Sequence, residues 1–585
     1  MIFKMVSNMK ETNTHQTMIK LSLYLLGVLL PLQVTFAQED ENIGTEVINV
    51  VKPYTPTISD AFKLKEVPET DDDVELEKKK VNYNIFSVPV ASTFTPSKGK
   101  AAAVDKQAPK KLYNNFASLA VGNYLNVLAE FYATIPLNRS DNFTVGLNHH
   151  SSQGEIKDVQ LDDKFYDTGL NLIYSKREHE LSYQIEGVFK HQQYNWYGTS
   201  YELTDLQRTN IDASHTYFTA GVEGNIEIEK SLFKGGQVKY RRFWDTYDAS
   251  ENRILITPKF EFEIVDYLIN LNTTLDYVGG EFDAITPGVK YSFLNAGVHP
   301  SYQYLQDNLV VNLGVEAMVS LDNEHGDTEL YMYPKISASY NIIEDTVIAF
   351  GGVEGGLYQN SYEQFSQENK YVAPLLGIAP THNQFDIYLG FKGKLSSKMT
   401  YSVKGGYLNE QNKAMFTMNP VNDVDLVTEN FDKANTFGVV YDDVNTLQFS
   451  GKVSTQVSKN YFLGVSATYS NYSTDNIDSV LNLPEFTASV FGDFKFTDKL
   501  YGGINLFYVG ERKDELRTST ILITPETVTL DGYFDANAHI GYQITNRFTA
   551  FLNANNIASQ GYQKWQTYPV QKLQVLGGLT YKFDF

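Results

Sequence analysis

Three groups of residues in this sequence carry side chains that could do chemistry. His149 and His150 are adjacent. On a strand, neighbouring side chains point to opposite faces, so they make a poor bidentate pair. DNEHGD (322–327) gathers oxygen ligands around His325. Such a set could hold a hard cation such as calcium, although a solvated polar loop has the same composition. Asp535 and His539 fall on the polar side of one alternating stretch, FDANAHIGYQ. Hydrolysis there would need a nucleophile, a histidine and an orienting group at one rim. Sequence alone does not place a serine beside a histidine across strands. It also shows no glycine-rich phosphate loop after a strand. The reading is therefore no catalytic residue, no metal site, no cofactor and no enzyme.

The absence of cysteine removes thiol catalysis, iron–sulfur clusters, thiolate zinc and disulfides. The net charge of −22 opposes binding to nucleic acid, which selects a basic surface. The composition is heavy in strand-forming aromatics, with 40 Tyr and 36 Phe.

Most of the chain consists of elements that alternate. LSYQIEGVFK sets Leu181, Tyr183, Ile185, Gly187 and Phe189 against Ser182, Gln184, Glu186, Val188 and Lys190. YFLGVSATYS and FDANAHIGYQ behave alike. From Tyr113 to Phe585 the pattern predicts about 22 strands, within a range of 18–22. Tight turns such as 138–141, 306–308 and 497–499 alternate with longer loops, which include 191–214, 359–382, 409–433 and 512–528. Short turns on one side and long loops on the other describe strands running up and down through a bilayer. The predicted fold class is all-β, a transmembrane antiparallel barrel. It has to close on itself, because lipid satisfies no unpaired backbone. At 22 strands its lumen is too wide for side chains to fill.

The first 112 residues differ. Lys20 precedes LSLYLLGVLLPLQVTFA, which reads as a signal peptide over 1–37, cleaved near Ala37. Residues 38–112 are rich in proline and mixed charge, predicting an irregular periplasmic or lumen-threading segment. The small net charges of these two segments cancel, so 113–585 carries the whole acidic excess. Lining a lumen or loops, it would favour cations.

The end of the chain, TNRFTAFLNANNIASQGYQKWQTYP followed by LQVLGGLTYKFDF, resembles the last two strands of TonB-dependent receptors. That resemblance implies a 22-stranded barrel in the outer membrane of a Gram-negative bacterium, contacting outer-membrane lipid. It also implies a terminal signal for barrel-assembly machinery, for which Leu579, Tyr581, Phe583 and Phe585 are the matching residues. The family carries a globular plug before the barrel, and residues 38–112 do not suit one, which leaves an irregular plug, a separate plug protein or an open pore. The family's partner segment, which adds a strand to a TonB-like energy-transducing protein, would fall at Thr45, Glu46, Val47, Ile48, Asn49, Val50 and Val51. The expected function is solute uptake. A passive porin-like channel and a structural subunit of an outer-membrane assembly are the alternatives.

Overall fold

A computed structural model describes residues 113–284, 287–420, 430–516 and 526–585. The signal peptide, the Thr45–Val51 segment and the remainder of 38–112 lie outside the described residues.

Alternating apolar and polar side chains force each strand to separate two environments. Here 22 strands satisfy that demand together, in one closed antiparallel sheet. Each pairs with its neighbours in sequence, and the last strand, Gln574–Phe583, pairs with the first, Asn115–Gly122. The seam runs from Asn115 opposite Phe583 to Gly122 opposite Leu576. The predicted strand number and closure are both present.

Val222, Val238, Val465 and Leu579 are each about half exposed on the outer wall, as a lipid-facing band requires. Their neighbours in sequence point inward, and Thr580 is fully buried there. Turns at one end are minimal, as at 265–266, 307–308, 397–398 and 459–460. The other end carries the long loops, and both ends of the barrel chain meet at the turn end.

Several predicted boundaries move. Strand Met399–Met418 runs ten residues past the expected 408. The intervening NEQNK is polar enough to read as loop. It remains in the sheet through a bulge, with the register shifting between Glu410 and Lys413 and Asn412 at φ 54°. Strand Leu181–Asn195 likewise enters the expected loop. At the C-terminus the ladder stops at Phe583 rather than Phe585. Beyond it the Asp584 carboxylate accepts the Asn114 N–H at 3.2 Å, and the Phe585 ring meets Phe583 edge-on at 5.5 Å.

Candidate functional site

Most of the expected loop 359–382, residues 359–380 between strands ending at Tyr358 and resuming at Thr381, folds into the lumen at the loop end. Its sequence explains this: Tyr362, Phe365, Val372, Leu376 and Ile378 would expose a large apolar surface outside. All five are buried in one cluster with lumen-facing Tyr217, Phe243, Phe282 and Tyr291 of one wall. Phe416 and Phe437 of a distant wall complete the cluster, so the loop crosses the lumen. A short helix, Tyr362–Glu368, leads the crossing and is capped by the Ser361 hydroxyl accepting from Gln364 N–H. Proline at 374 and 380 keeps the second half of the loop out of helix.

Two buried carboxylates hold the helix. Asp245 accepts the Tyr362 hydroxyl at 2.6 Å, meets His215 Nε2 at 2.8 Å and accepts the N–H groups of Tyr247 and Ala249. Glu251 accepts the Tyr362 N–H and the Tyr291 hydroxyl, each at 2.6 Å, and the Glu363 N–H at 3.3 Å. Arg241 closes the latch by donating to Glu363 at 2.6 Å. On the far side Tyr371 stacks on Tyr568 at 3.7 Å. There the Ala373 N–H donates to the Phe437 carbonyl, and the Phe437 N–H donates to the Tyr371 carbonyl, each at 2.9 Å. Trp565 packs on Phe416 and Phe437, so loop 556–573 completes the closure.

Partly exposed cations sit on the two closing loops themselves. Lys370 lies over the Tyr194 ring at 5.2 Å and donates to Gln367 at 2.7 Å. Surrounding protein pushes its ammonium down to about 8, and the same desolvation pushes Lys564 down to about 8. At neutral pH both remain mostly charged. The mouth therefore gathers aromatic faces, carboxylates and ammonium groups around the crossing loop.

The sequence candidates are not assembled into any site. His149 bonds Thr168 and Ser151 hydroxyls at 2.8 and 3.0 Å, while His150 turns to the other face against Phe165. Asp322 takes His325 Nδ1 at 2.8 Å and closes a tight hairpin turn, and its neighbours there contribute backbone N–H groups. Among the described residues no group of three or more His, Asp or Glu has metal-binding geometry. Asp535 and His539 do share the lumen face, but Asp535 is occupied by the Tyr562 hydroxyl at 2.8 Å. The latch residues Asp245, Glu251 and Tyr362 were missed. Their one sequence signal is acidic residues on the inward side of otherwise aromatic strands.

A closed barrel of 22 strands with an outward apolar band and a polar, loop-capped lumen defines an outer-membrane transport-type barrel. The family model described as TonB dependent receptor-like, beta-barrel, matches residues 97–557, and the chain belongs to that family. The search of curated proteins gave no match. Among solved structures, the ferripyoverdine receptor of Pseudomonas aeruginosa is similar at 14% identity and TM-score 0.59, over 82% of this chain and 73% of that one. The siderophore receptor PirA of Acinetobacter baumannii is similar at 12% identity and TM-score 0.60, over 81% of each chain. The iron transporter FrpB of Neisseria meningitidis is similar at 10% identity and TM-score 0.61, over 80% and 82%. At these identities the likeness concerns fold. The family places the barrel in the Gram-negative outer membrane, with its long loops outside and its turns in the periplasm.

Proposed function

We propose that this protein is an uptake receptor whose substrate path is opened by release of loop 359–380 from the lumen. The observation that carries this reading is the loop itself, latched across a barrel too wide to close by side chains alone. A passive pore has no use for such a closure at its outer mouth. Energy would enter through the Thr45–Val51 segment, offered as a strand to a TonB-like partner. Metal chelates are the first solutes to test, because structurally similar proteins are named as siderophore receptors and an iron transporter. The signal peptide cleaved near Ala37 and the terminal insertion signal at Leu579, Tyr581, Phe583 and Phe585 belong to the same reading.

The chain has no cysteine, so introduced thiols are unique. Gln367 Nε2 donates to Gln192 Oε1 at 2.9 Å across the loop–wall contact. Gln192→Cys with Gln367→Cys, joined by a short cleavable bis-thiol reagent, should stop uptake, and cleavage should restore it. Deleting 45–51 or collapsing the proton gradient should also stop it. Uptake that continues with the loop tethered sinks the reading. High conductance before any release would indicate a pore instead, and stable co-purification with other proteins without conductance an assembly subunit.

A further inference from the structure

The outer wall carries one feature that the uptake reading does not use. In KYRRFWD the two arginines are adjacent, so the strand sends them to opposite faces. Arg241 points into the lumen and pairs with Glu363. Arg242 points outward with Val238 and Tyr240, both of which are exposed on the lipid side. Arg242 has no ion-pair partner among the described residues. It donates a long hydrogen bond, 3.5 Å, to Asn252 Oδ1, which also accepts the Tyr240 hydroxyl at 3.0 Å. A charge on a lipid-facing wall is costly unless something answers it.

Just inward of Arg242 the wall is hollow. A groove of about 420 Å³ is lined by Leu170, Leu172, Phe189, Val222, Tyr240 and the small residues between them. The hollow exists because Gly187 and Ala220 stand where larger side chains fill the neighbouring rows. A Cβ at Gly187 would touch only the Leu172 carbonyl, at 4.0 Å. One row further out the wall becomes an aromatic belt. His191 lies against Phe218 at 5.2 Å, and Phe218 stacks on Trp244 at 5.4 Å with rings 13° apart. Such a belt marks the membrane interface. The order along the wall is therefore aromatic belt, then a cation with an amide and a phenol, then an apolar trough.

We propose that this trough is a specific site for a phosphate-bearing acylated lipid of the outer leaflet. The acyl chain lies in the trough between Phe189 and Tyr240. The phosphate is met by the Arg242 guanidinium, with Asn252 and the Tyr240 hydroxyl beside it. The charge complementarity selects an anionic lipid, and the depth of Arg242 beside the belt selects a headgroup rather than a free solute ion.

The test uses full-length protein extracted in mild detergent and native mass spectrometry, with lipid A as the probe and its dephosphorylated form as the control. Wild type should keep one lipid A under conditions that strip other lipids. Arg242→Ala should weaken retention about fivefold or more, the worth of one cation at an anionic surface. Arg242→Lys should keep part of it. Ala220→Phe, which fills the trough without touching the charge, should abolish it, while Leu313→Phe on a distant lipid-facing strand should not. Heat-modifiable mobility checks that each variant is a folded barrel. Equal retention by wild type, Arg242→Ala and Ala220→Phe overturns the proposal. So does equal retention of the dephosphorylated form, or a loss with Leu313→Phe that matches the loss with Ala220→Phe.

Discussion

Tyr362 is the residue on which the closure depends, because it makes two latches at once. Its hydroxyl donates to Asp245 and its N–H to Glu251, and its ring is packed by Phe243 and Phe282 at 5.1 Å each. A hydrogen bond to a charged group contributes about 1.5–3 kcal/mol. Tyr362→Phe keeps the packing and removes one such bond, so hydrogen exchange across 359–380 should rise by the corresponding factor. Unchanged exchange would mean that Asp245 does not hold the loop. Asp514 offers a pH test in a loop hairpin, Arg512–Leu516 with Glu526–Leu530. Burial raises its carboxyl from 3.8 to about 6, against the pull of the Glu515 and Met418 N–H groups. The folded hairpin thus holds the proton more tightly than the unfolded chain. Its contribution is full below 3.8 and is lost as pH rises through about 6. Amide protection near Met418, corrected for intrinsic exchange, should fall across that window in wild type. In Asp514→Asn it should stay flat.

At the level of elements, the terminal strand decides whether a barrel exists. It is bonded on both edges, to Phe548–Asn555 and to Asn115–Gly122. Gly578 lies where the strands approach too closely for a side chain, since a Cβ there would sit 2.6 Å from the Leu119 carbonyl. Deleting 583–585 removes the Phe583–Asn115 pair and the terminal aromatic cluster, and should abolish insertion. A heat-modifiable barrel recovered from the outer membrane after that deletion would refute it. Gly578→Val should produce the same defect by wedging the seam. This part of the fold was legible because a period of two leaves its mark on every strand, so the count and the closure followed from Leu579, Thr580, Tyr581 and their counterparts. The mouth was not legible. Tyr362, Phe365, Val372 and Leu376 follow no single period, and their partners at 217, 243, 416, 437 and 568 are scattered along the chain. Inward aromatics such as Tyr217 and Phe243 alternate just as lipid-facing ones do, so alternation alone cannot say which face meets a loop. The far end of strand Met399–Met418 is illegible for a related reason: the polar run NEQNK has the composition of a loop.

For the whole molecule, the distribution of charge sets what the open barrel would admit. Among the described residues, loops at the outer end carry an acidic excess. Loop 475–485 carries Asp475, Asp478 and Glu485 with no base, and 153–164 carries four acids against Lys157 and Lys164. Inside, opposite charges are largely matched, as in Arg253 with Asp276 at 2.6 Å and Lys335 with Glu316 at 3.0 Å. A mouth of one sign above a paired wall concentrates counter-ions at the entrance. Replacing 362–378 by a short glycine–serine linker removes the crossing while leaving all 22 strands intact, and should convert a closed barrel into a conducting one. In planar bilayers under a salt gradient, the reversal potential should then show cation preference. That preference should shrink as ionic strength rises and the Debye length falls from about 10 Å at 0.1 M to about 3 Å at 1 M. Converting Asp475, Asp478 and Glu485 to their amides should weaken it further without lowering conductance. Anion selectivity would show that Lys370 and Lys564, rather than the acidic loop residues, govern entry.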